Sequence, residues 1–286
     1  MHANVPEEPH RMYNWSFYIH HPGLGRHVLW DIGISKNHDD YTPRIIETWY
    51  KPAQACGMHK PISAQLAQKG VEYTQISEVI FSHAHMDHCR PIQTELPQAT
   101  GFFGPGTKAF CSPGHFRLHV DEIPAMFDGR FFDPDHATER CRELDGPWVP
   151  FGPFPQAMDF FGDGSFWVIQ APGHMPGNLC AAAKLETAEW VVLGSDCCHS
   201  RELFLGVHEY PIWMPLGGLP CLHTDMEAAK DTIMKLRILQ RQLGAHVAFA
   251  HDSAWMLQDD DDVLMSLLDD DFKTFVKERL KMDLPY

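Results

Sequence analysis

The sequence has few basic residues, no long apolar run and no closely spaced pair of cysteines. Its 23 Lys and Arg residues stand against 38 Asp and Glu, which gives a formal net charge of −15 over 286 residues. Because nucleic-acid binding needs a basic surface, this balance disfavours a nucleic-acid partner. No apolar stretch approaches the roughly 20 residues that span a bilayer, and the N-terminus lacks the apolar core of a secretory signal. We therefore expect a soluble, cytoplasmic protein with no membrane partner.

The eight cysteines form no CxxC pair, the spacing typical of structural zinc sites and redox motifs. Cysteines without such a framework in an intracellular chain are expected to be free thiols. Cys89 follows a group of ligand-type residues and Cys197-Cys198 is a vicinal pair, so a metal or redox role for these three is the alternative.

Apolar residues make up 44% of the chain and charged residues 21%, which is ordinary for a globular protein with a sizeable core. We expect a single domain over residues 1–286, with loop-rich insertions around 34–60 and 101–163. The second insertion is dense in Gly, Pro and aromatic residues. Together with 203–205 and 210–216, it is expected either to line an apolar pocket or to pack irregular loops around the core.

The most informative stretch is 81–88, with the sequence FSHAHMDH. Three histidines and an aspartate occupy six positions directly after an apolar, strand-type run at 79–81. Imidazole and carboxylate groups bind zinc and similar metals. Ligands this dense do not all reach one tetrahedral ion without strain, so we expect two metals. The expected division is His83 and His85 on one ion, and Asp87 and His88 on the other.

Later strands end in the same way. Strand-type segments at 166–170, 190–195 and 245–250 run into His174, Asp196 and His251, respectively. Two metals need about six or seven protein ligands if each keeps a position open for water or substrate. A carboxylate shared by two cations also offsets their repulsion. We therefore expect one ion on His83, His85 and His174, the other on Asp87, His88 and His251, and Asp196 bridging them.

An earlier strand, at 27–30, ends at Asp31. A carboxylate at this position is interpreted either as a turn former or as support for a metal ligand.

On these residues the sequence resembles the metallo-β-lactamase superfamily of hydrolases. The match covers most of the chain: Asp31-Ile-Gly33, the HxHxDH box, the Pro-Gly-His174 loop, Asp196 and His251-Asp252. The HxHxDH box is specific by itself, whereas the other segments support the resemblance only through their order along the chain. The resemblance implies an α/β fold, a four-layered αβ/βα sandwich with a dinuclear site at one sheet edge. Within the superfamily the chain is most similar to the N-acyl-homoserine-lactonase-like branch.

The resemblance implies a dinuclear-zinc hydrolase that opens a lactone or lactam by attack of a metal-bound hydroxide. Zinc is expected in both positions, with iron, manganese or cobalt as alternatives in one of them. The candidate catalytic residues are Asp87, Asp196 and His199. His199 stands where lactonase-like relatives often have a carbonyl-polarising tyrosine, so it either donates a hydrogen bond there or marks another substrate. Asp252 is a further candidate proton donor.

Several alternatives accompany this interpretation. The main zinc β-lactamases use cysteine where Asp196 stands, which disfavours penicillin-type substrates. A glyoxalase-II-like thioesterase, a phosphodiesterase and a non-catalytic, metal-stabilised binding protein are the other candidates. The expected partner is a small, apolar or aromatic molecule.

Two helices are expected near the C-terminus. Residues 224–240 have apolar positions at helical spacing, and a last helix is expected from about 263 to 281. That helix should pack on the core or on a second copy of the chain, so a homodimer is an alternative to a monomer.

Overall fold

The computed structural model describes residues 12–57, 60–112, 126–210 and 222–281. The chain forms two compact units. The N-terminal unit comprises Asn14–Trp148 and Gln170–Leu179, and the C-terminal unit comprises Met1–Tyr13, Val149–Ile169 and Cys180–Tyr286. The single-domain organisation expected from the sequence stays a prediction.

The N-terminal unit contains a five-stranded sheet whose strands lie in chain order. They are β1 (Phe17–His21), β2 (Arg26–Trp30), β3 (Glu78–Ile80), β4 (Thr100–Phe103) and β5 (Cys141–Glu143). β1 and β2 form an antiparallel hairpin, whereas β2 to β5 pair in parallel. Because parallel strands end at the same edge of a sheet, the residues that follow β2 and β3 meet there, as ligand-binding loops do in α/β sheets.

Short helices and an apolar core support this sheet. The helices are α1 (Pro43–Ile45), which continues into a π-helical turn at Ile46–Tyr50, α2 (Ile62–Gln68), α3 (Thr107–Cys111) and α4 (Gly129–Phe132). Phe81, Phe103 and Phe131 lie together in the core, with ring centroids 4.8–5.7 Å apart. Phe81 thus anchors the chain immediately before the histidine-rich loop.

The C-terminal unit contains a six-stranded sheet in the order β11-β10-β9-β8-β7-β6. Its strands are β6 (Val149–Phe151), β7 (Phe154–Asp159), β8 (Phe166–Gln170), β9 (Leu179–Lys184), β10 (Trp190–Ser195) and β11 (His246–Phe249). β10 and β11 are parallel, so the residues that follow them lie at one edge of this sheet. The predicted strands at 166–170, 190–195 and 245–250 are confirmed.

Helices α5 (Arg201–Leu205), α6 (Met226–Leu243), α7 (Ala254–Gln258), α8 (Asp262–Leu267) and α9 (Asp270–Lys281) belong to the same unit. The helix predicted at 224–240 is confirmed as α6. Asp225 accepts a hydrogen bond from the amide of Ala228, and Gly244 ends the helix with a φ of +62°. Both caps are the residue types that helix ends favour.

The prediction of one last helix from 263 to 281 is wrong, because the chain breaks into α8 and α9. Leu268 adopts an extended conformation with φ −77° and ψ 140°. The Asp269 carboxylate then accepts a hydrogen bond from the amide of Phe272, at 2.7 Å, and starts a new helix. Within the described ranges, no helix has both the length and the apolar character needed to cross a bilayer.

Candidate metal centre

Three histidines of the N-terminal unit bring their ring nitrogens together. His83 Nε2 lies 3.0 Å from His85 Nδ1, and His174 Nε2 lies 2.9 Å from the same atom. The ligand atoms of the three residues all lie within 4.8 Å of one another. His83 and His174 are buried, with 0% and 3% of their surface exposed. The structure thus brings these three side chains together, and their binding of one metal ion stays a prediction.

Ser82 orients the first of these rings. Its hydroxyl lies 2.8 Å from Asp31 Oδ2 and 3.0 Å from His83 Nδ1. A hydroxyl has one proton to donate, and a carboxylate only accepts, so this proton goes to Asp31 and the hydroxyl accepts from His83 Nδ1. Nε2 of His83 is then the nitrogen with a lone pair, and it faces His85. Hydrogen bonds of this kind orient metal-binding histidines in proteins.

The loop that carries His174 is closed on itself and tied to the histidine-rich loop. The amide of Ala171 donates to the Asn178 carbonyl at 2.9 Å, and the Asn178 side chain donates back to the Ala171 carbonyl at 2.8 Å. The amide of Leu179 donates to the Ser82 carbonyl at 2.8 Å. These bonds hold His174, a residue from a distant part of the chain, beside His83 and His85.

Asp87 and His88 form a second pair in the same unit. Asp87 Oδ2 lies 3.5 Å from His88 Nε2 and accepts a hydrogen bond from the Asn14 side chain at 3.0 Å. His88 is fully buried. Its other nitrogen, Nδ1, donates to Asp31 Oδ2 at 2.8 Å, so Nε2 is again directed toward the candidate ligand set.

Asp31 is the common anchor of both groups. Besides Ser82 Oγ and His88, its carboxylate accepts the amide of Ser82 at 2.7 Å. Its φ of +59° places it in the left-handed region, which aspartate tolerates better than most residues. Burial raises the pKa of Asp31, and His88 and Ser82 oppose that rise because they stabilise the carboxylate. The turn conformation of Asp31 and its hydrogen bonds to Ser82 and His88 are observed, whereas its support of metal ligands stays a prediction.

The C-terminal unit groups Asp196, His199 and His251. Asp196 Oδ2 lies 3.3 Å from His251 Nε2 and 3.3 Å from His199 Nε2. The His199 and His251 rings are nearly parallel, with centroids 5.7 Å apart and 8° between their planes. His251 Nδ1 donates to the Tyr13 carbonyl at 2.8 Å, which leaves the Nε2 lone pair on the side of Asp196.

A β-bulge at the end of β10 directly precedes Asp196. The pairing of β10 with β11 shifts between Leu193 and Ser195, and Ser195 has a φ of +48°. Gly194 permits this geometry, because a Cβ atom there would lie 2.5 Å from the Phe249 ring.

Asp252 serves as a structural partner in this unit. Its carboxylate accepts from Arg201 Nε at 3.2 Å and from the Ala254 amide at 3.1 Å. Burial raises the pKa of Asp252, and Arg201 opposes that rise. These contacts link the segment after His199 to the segment after His251.

The donor chemistry of both groups fits zinc. Zinc–nitrogen bonds measure about 2.0–2.1 Å, so nitrogens on one ion lie about 3 Å or slightly more apart. The His83–His85 and His174–His85 pairs of the N-terminal unit, at 3.0 and 2.9 Å, are close to that spacing. Zinc also binds imidazole nitrogen and carboxylate oxygen in the same site.

The cysteines contribute no disulfide among the described residues. Cys56 is an exposed free thiol, Cys141 is half-buried, and Cys89, Cys111, Cys180, Cys197 and Cys198 are buried free thiols. Burial raises the pKa of Cys198 to about 11, which keeps its thiol protonated at neutral pH. The prediction of free thiols is confirmed for these seven, and Cys221 lies outside the described residues.

The functional contacts of Asn14, the Tyr13 carbonyl and His223 were not predicted from the sequence, and Tyr210 was predicted only as part of the 210–216 stretch. Asn14 and Tyr13 contact residues 73 and 238 positions away, and no local motif marks such pairs. Tyr210 and His223 contact the His199 ring, and their sequence signal is no more than an aromatic or histidine residue in an irregular segment.

The chain is similar in sequence to several known proteins. The chain is 30% identical over 264 residues to the metallo-hydrolase mfmC of Annulohypoxylon moriforme, and the match covers 79% of this chain and 67% of mfmC. It is 26% identical to the gamma-lactamase FDB1 of Fusarium pseudograminearum, covering 78% of this chain and 62% of FDB1. It is 28% identical to the cytochrome P450 monooxygenase mpaDE' of Penicillium brevicompactum, covering 80% of this chain but 28% of that longer relative. No protein-family model matches the chain.

Solved structures show the same fold. A variant of AiiA from B. thuringiensis, solved with N-decanoyl-L-homoserine at its active site, superposes with a TM-score of 0.62. The match covers 90% of this chain and 88% of AiiA at 17% identity. The predicted metallo-β-lactamase fold is confirmed. The chain belongs to the metallo-β-lactamase superfamily of metal-dependent hydrolases.

Proposed function

We propose that this chain is a dinuclear-zinc hydrolase that opens a small lactone or lactam. The observation that carries the proposal is the convergence of ligand nitrogens at His83, His85 and His174, each held by its own hydrogen bonds or loop. The matching Asp196–His251 pair of the C-terminal unit supports it. So does the kinship with a metallo-hydrolase and a gamma-lactamase.

The two groups of side chains together supply a complete ligand set for two ions in this proposal. As the sequence predicts, His83, His85 and His174 would hold one ion, Asp87, His88 and His251 would hold the other, and Asp196 would be a ligand available to both. When bound, two divalent ions lower the pKa of a shared water toward 7 and polarise the carbonyl that the water attacks.

Asp196 and His199 carry the proton chemistry of the chain itself. Asp196 is buried, and its Oδ2 lies 3.3 Å from His199 Nε2. Asp196 Oδ2 is suited to accept a proton from the attacking water, and His199 Nε2 to donate a hydrogen bond to the carbonyl oxygen or leaving atom. A lactam needs this donation more than a lactone, because its nitrogen must be protonated as it leaves.

A small, apolar or aromatic substrate fits the chain better than a polyanion does. The net charge of −15 opposes nucleic acid and other polyphosphates. Leu203 and Phe204, which the sequence offered as possible pocket residues, are buried in the core. Residues 211–216, the other apolar stretch of that interpretation, lie outside the described residues.

A substrate panel tests the assignment. Protein loaded with zinc to a measured stoichiometry is assayed on an N-acyl homoserine lactone, an aryl-fused lactam, a glutathione thioester and bis(p-nitrophenyl) phosphate. We expect kcat/KM for the lactone or lactam to exceed the other two by about a hundredfold or more. Preference for the thioester would make the chain a thioesterase, preference for the phosphodiester would overturn carbonyl hydrolysis, and no turnover would favour a binding protein.

His199→Phe is expected to lower kcat about tenfold or more, because the variant keeps a ring but loses the donor beside Asp196. The steady-state rate on the preferred panel substrate checks this. His246→Phe is the matched control, since His246 begins β11 and its Nδ1 binds Asp261 at 2.9 Å. Equal rates for wild type and His199→Phe would make His199 structural.

A further inference from the structure

The His199 imidazole is enclosed by two other rings of the C-terminal unit. The Tyr210 ring meets it edge-on, with centroids 6.4 Å apart and planes at 86°. The His223 ring meets it with centroids 5.3 Å apart and planes at 69°. Tyr210 and His223 also meet each other edge-on, with centroids 4.7 Å apart. We refer to His199, Tyr210 and His223 as the ring cluster.

Two buried imidazoles make the ring cluster a less favourable core filling than apolar side chains would be. His199 and His223 expose only 3% and 1% of their surfaces, and burying an imidazole costs more than burying an apolar side chain of similar size. The Tyr210 hydroxyl lies beside the Cys198 thiol, and burial raises the pKa of Tyr210. The cluster directly adjoins Asp196, because His199 Nε2 lies 3.3 Å from its carboxylate.

We propose that Tyr210 and His223 are positioning residues that fix the orientation of the His199 ring, so that Nε2 points at Asp196. The inference rests on the proposed function, in which His199 Nε2 is a hydrogen-bond donor. The imidazole torsion about Cβ–Cγ is broad in the absence of contacts. Two rings roughly perpendicular to His199 restrict that torsion, and the parallel His251 ring bounds it on a third side.

The aromatic ring of Tyr210, rather than its hydroxyl, is the operative group in this arrangement. Tyr210→Leu should therefore lower kcat about ten- to a hundredfold, the scale of a misaligned catalytic group, with KM within about twofold. Tyr210→Phe should restore kcat to within about twofold of wild type, since it keeps the edge-on contact. His223→Leu should resemble Tyr210→Leu.

The experiment combines kinetics with nuclear magnetic resonance of ¹⁵N-histidine-labelled full-length protein. The His199 ring signals, assigned by their loss in His199→Phe, are recorded with and without zinc. They are expected to shift in Tyr210→Leu and His223→Leu and to keep their positions in Tyr210→Phe. Phe151→Leu is the matched control. Phe151 lies on β6, the opposite edge strand from β11, and stacks on Trp167 with ring centroids 4.5 Å apart.

Three results would overturn the inference. Unchanged His199 signals in Tyr210→Leu would show that the ring is held by other contacts. An equal loss of kcat in Tyr210→Phe and Tyr210→Leu would assign the role to the hydroxyl. An equal shift of the His199 signals in Phe151→Leu would indicate a general loss of packing. If wild-type protein turned over no panel substrate, the proposed function would fail, while the ring signals would still decide the positioning role.

Discussion

Replacing His85 with alanine is expected to remove about one zinc ion per chain and to lower kcat/KM about a thousandfold, equivalent to about 4 kcal/mol. His85 is the centre of the three-histidine group, because its Nδ1 lies within 3.0 Å of Nε2 in both His83 and His174. Its loss leaves two imidazoles and a carboxylate that the proposal shares with the other ion, which is fewer than the three unshared protein ligands of catalytic zinc sites.

Zinc per chain is measured by mass spectrometry of metals after dialysis, and turnover on the preferred panel substrate. His136→Ala is the matched control in the same unit. The His136 side chain is 79% exposed and pairs with Asp133 at 3.0 Å, so its removal should leave both zinc content and rate unchanged. A His85→Ala variant that kept wild-type zinc content would remove His85 from the ligand set.

The sequence predicted the candidate ligands because each follows a strand. Parallel pairing of β2 with β3, and of β10 with β11, brings strand ends to one edge within each sheet. A strand is recognisable from a short apolar run, and a polar residue at its end stands out. His174 was harder to predict, because its loop depends on the Ala171–Asn178 hydrogen bonds rather than on a motif.

The partners of the ligands were beyond sequence reasoning. Asp87 takes its hydrogen bond from Asn14, and His251 donates to a backbone carbonyl at Tyr13. Any side chain leaves a backbone carbonyl in place, so no pattern of residue types marks the second contact. The break between α8 and α9, by contrast, had a local signal: Asp269 is an N-cap residue type placed before a helical run.

Asp31→Ala is expected to lower the free energy of unfolding by about 3–5 kcal/mol, because three buried hydrogen-bond donors lose the carboxylate that accepts from them. The variant leaves the Ser82 amide, the Ser82 hydroxyl and His88 Nδ1 without their common acceptor, and each is buried. It also places alanine at a φ of +59°. Urea unfolding of the chelator-treated protein measures the change, so that differences in zinc affinity do not contribute.

Two further variants separate the causes of that loss. Asp259 has a φ of +54° and ends α7 in an exposed position, so Asp259→Ala should cost only the backbone strain, about 1–2 kcal/mol. Asp31→Asn keeps a residue that tolerates the left-handed region and one acceptor oxygen. Its decrease in the free energy of unfolding should therefore fall between those of the two alanine variants. Equal losses for Asp31→Ala and Asp259→Ala would reduce Asp31 to a turn former. A larger loss at Asp31 assigns the difference to the hydrogen bonds through which one carboxylate aligns both His83 and His88.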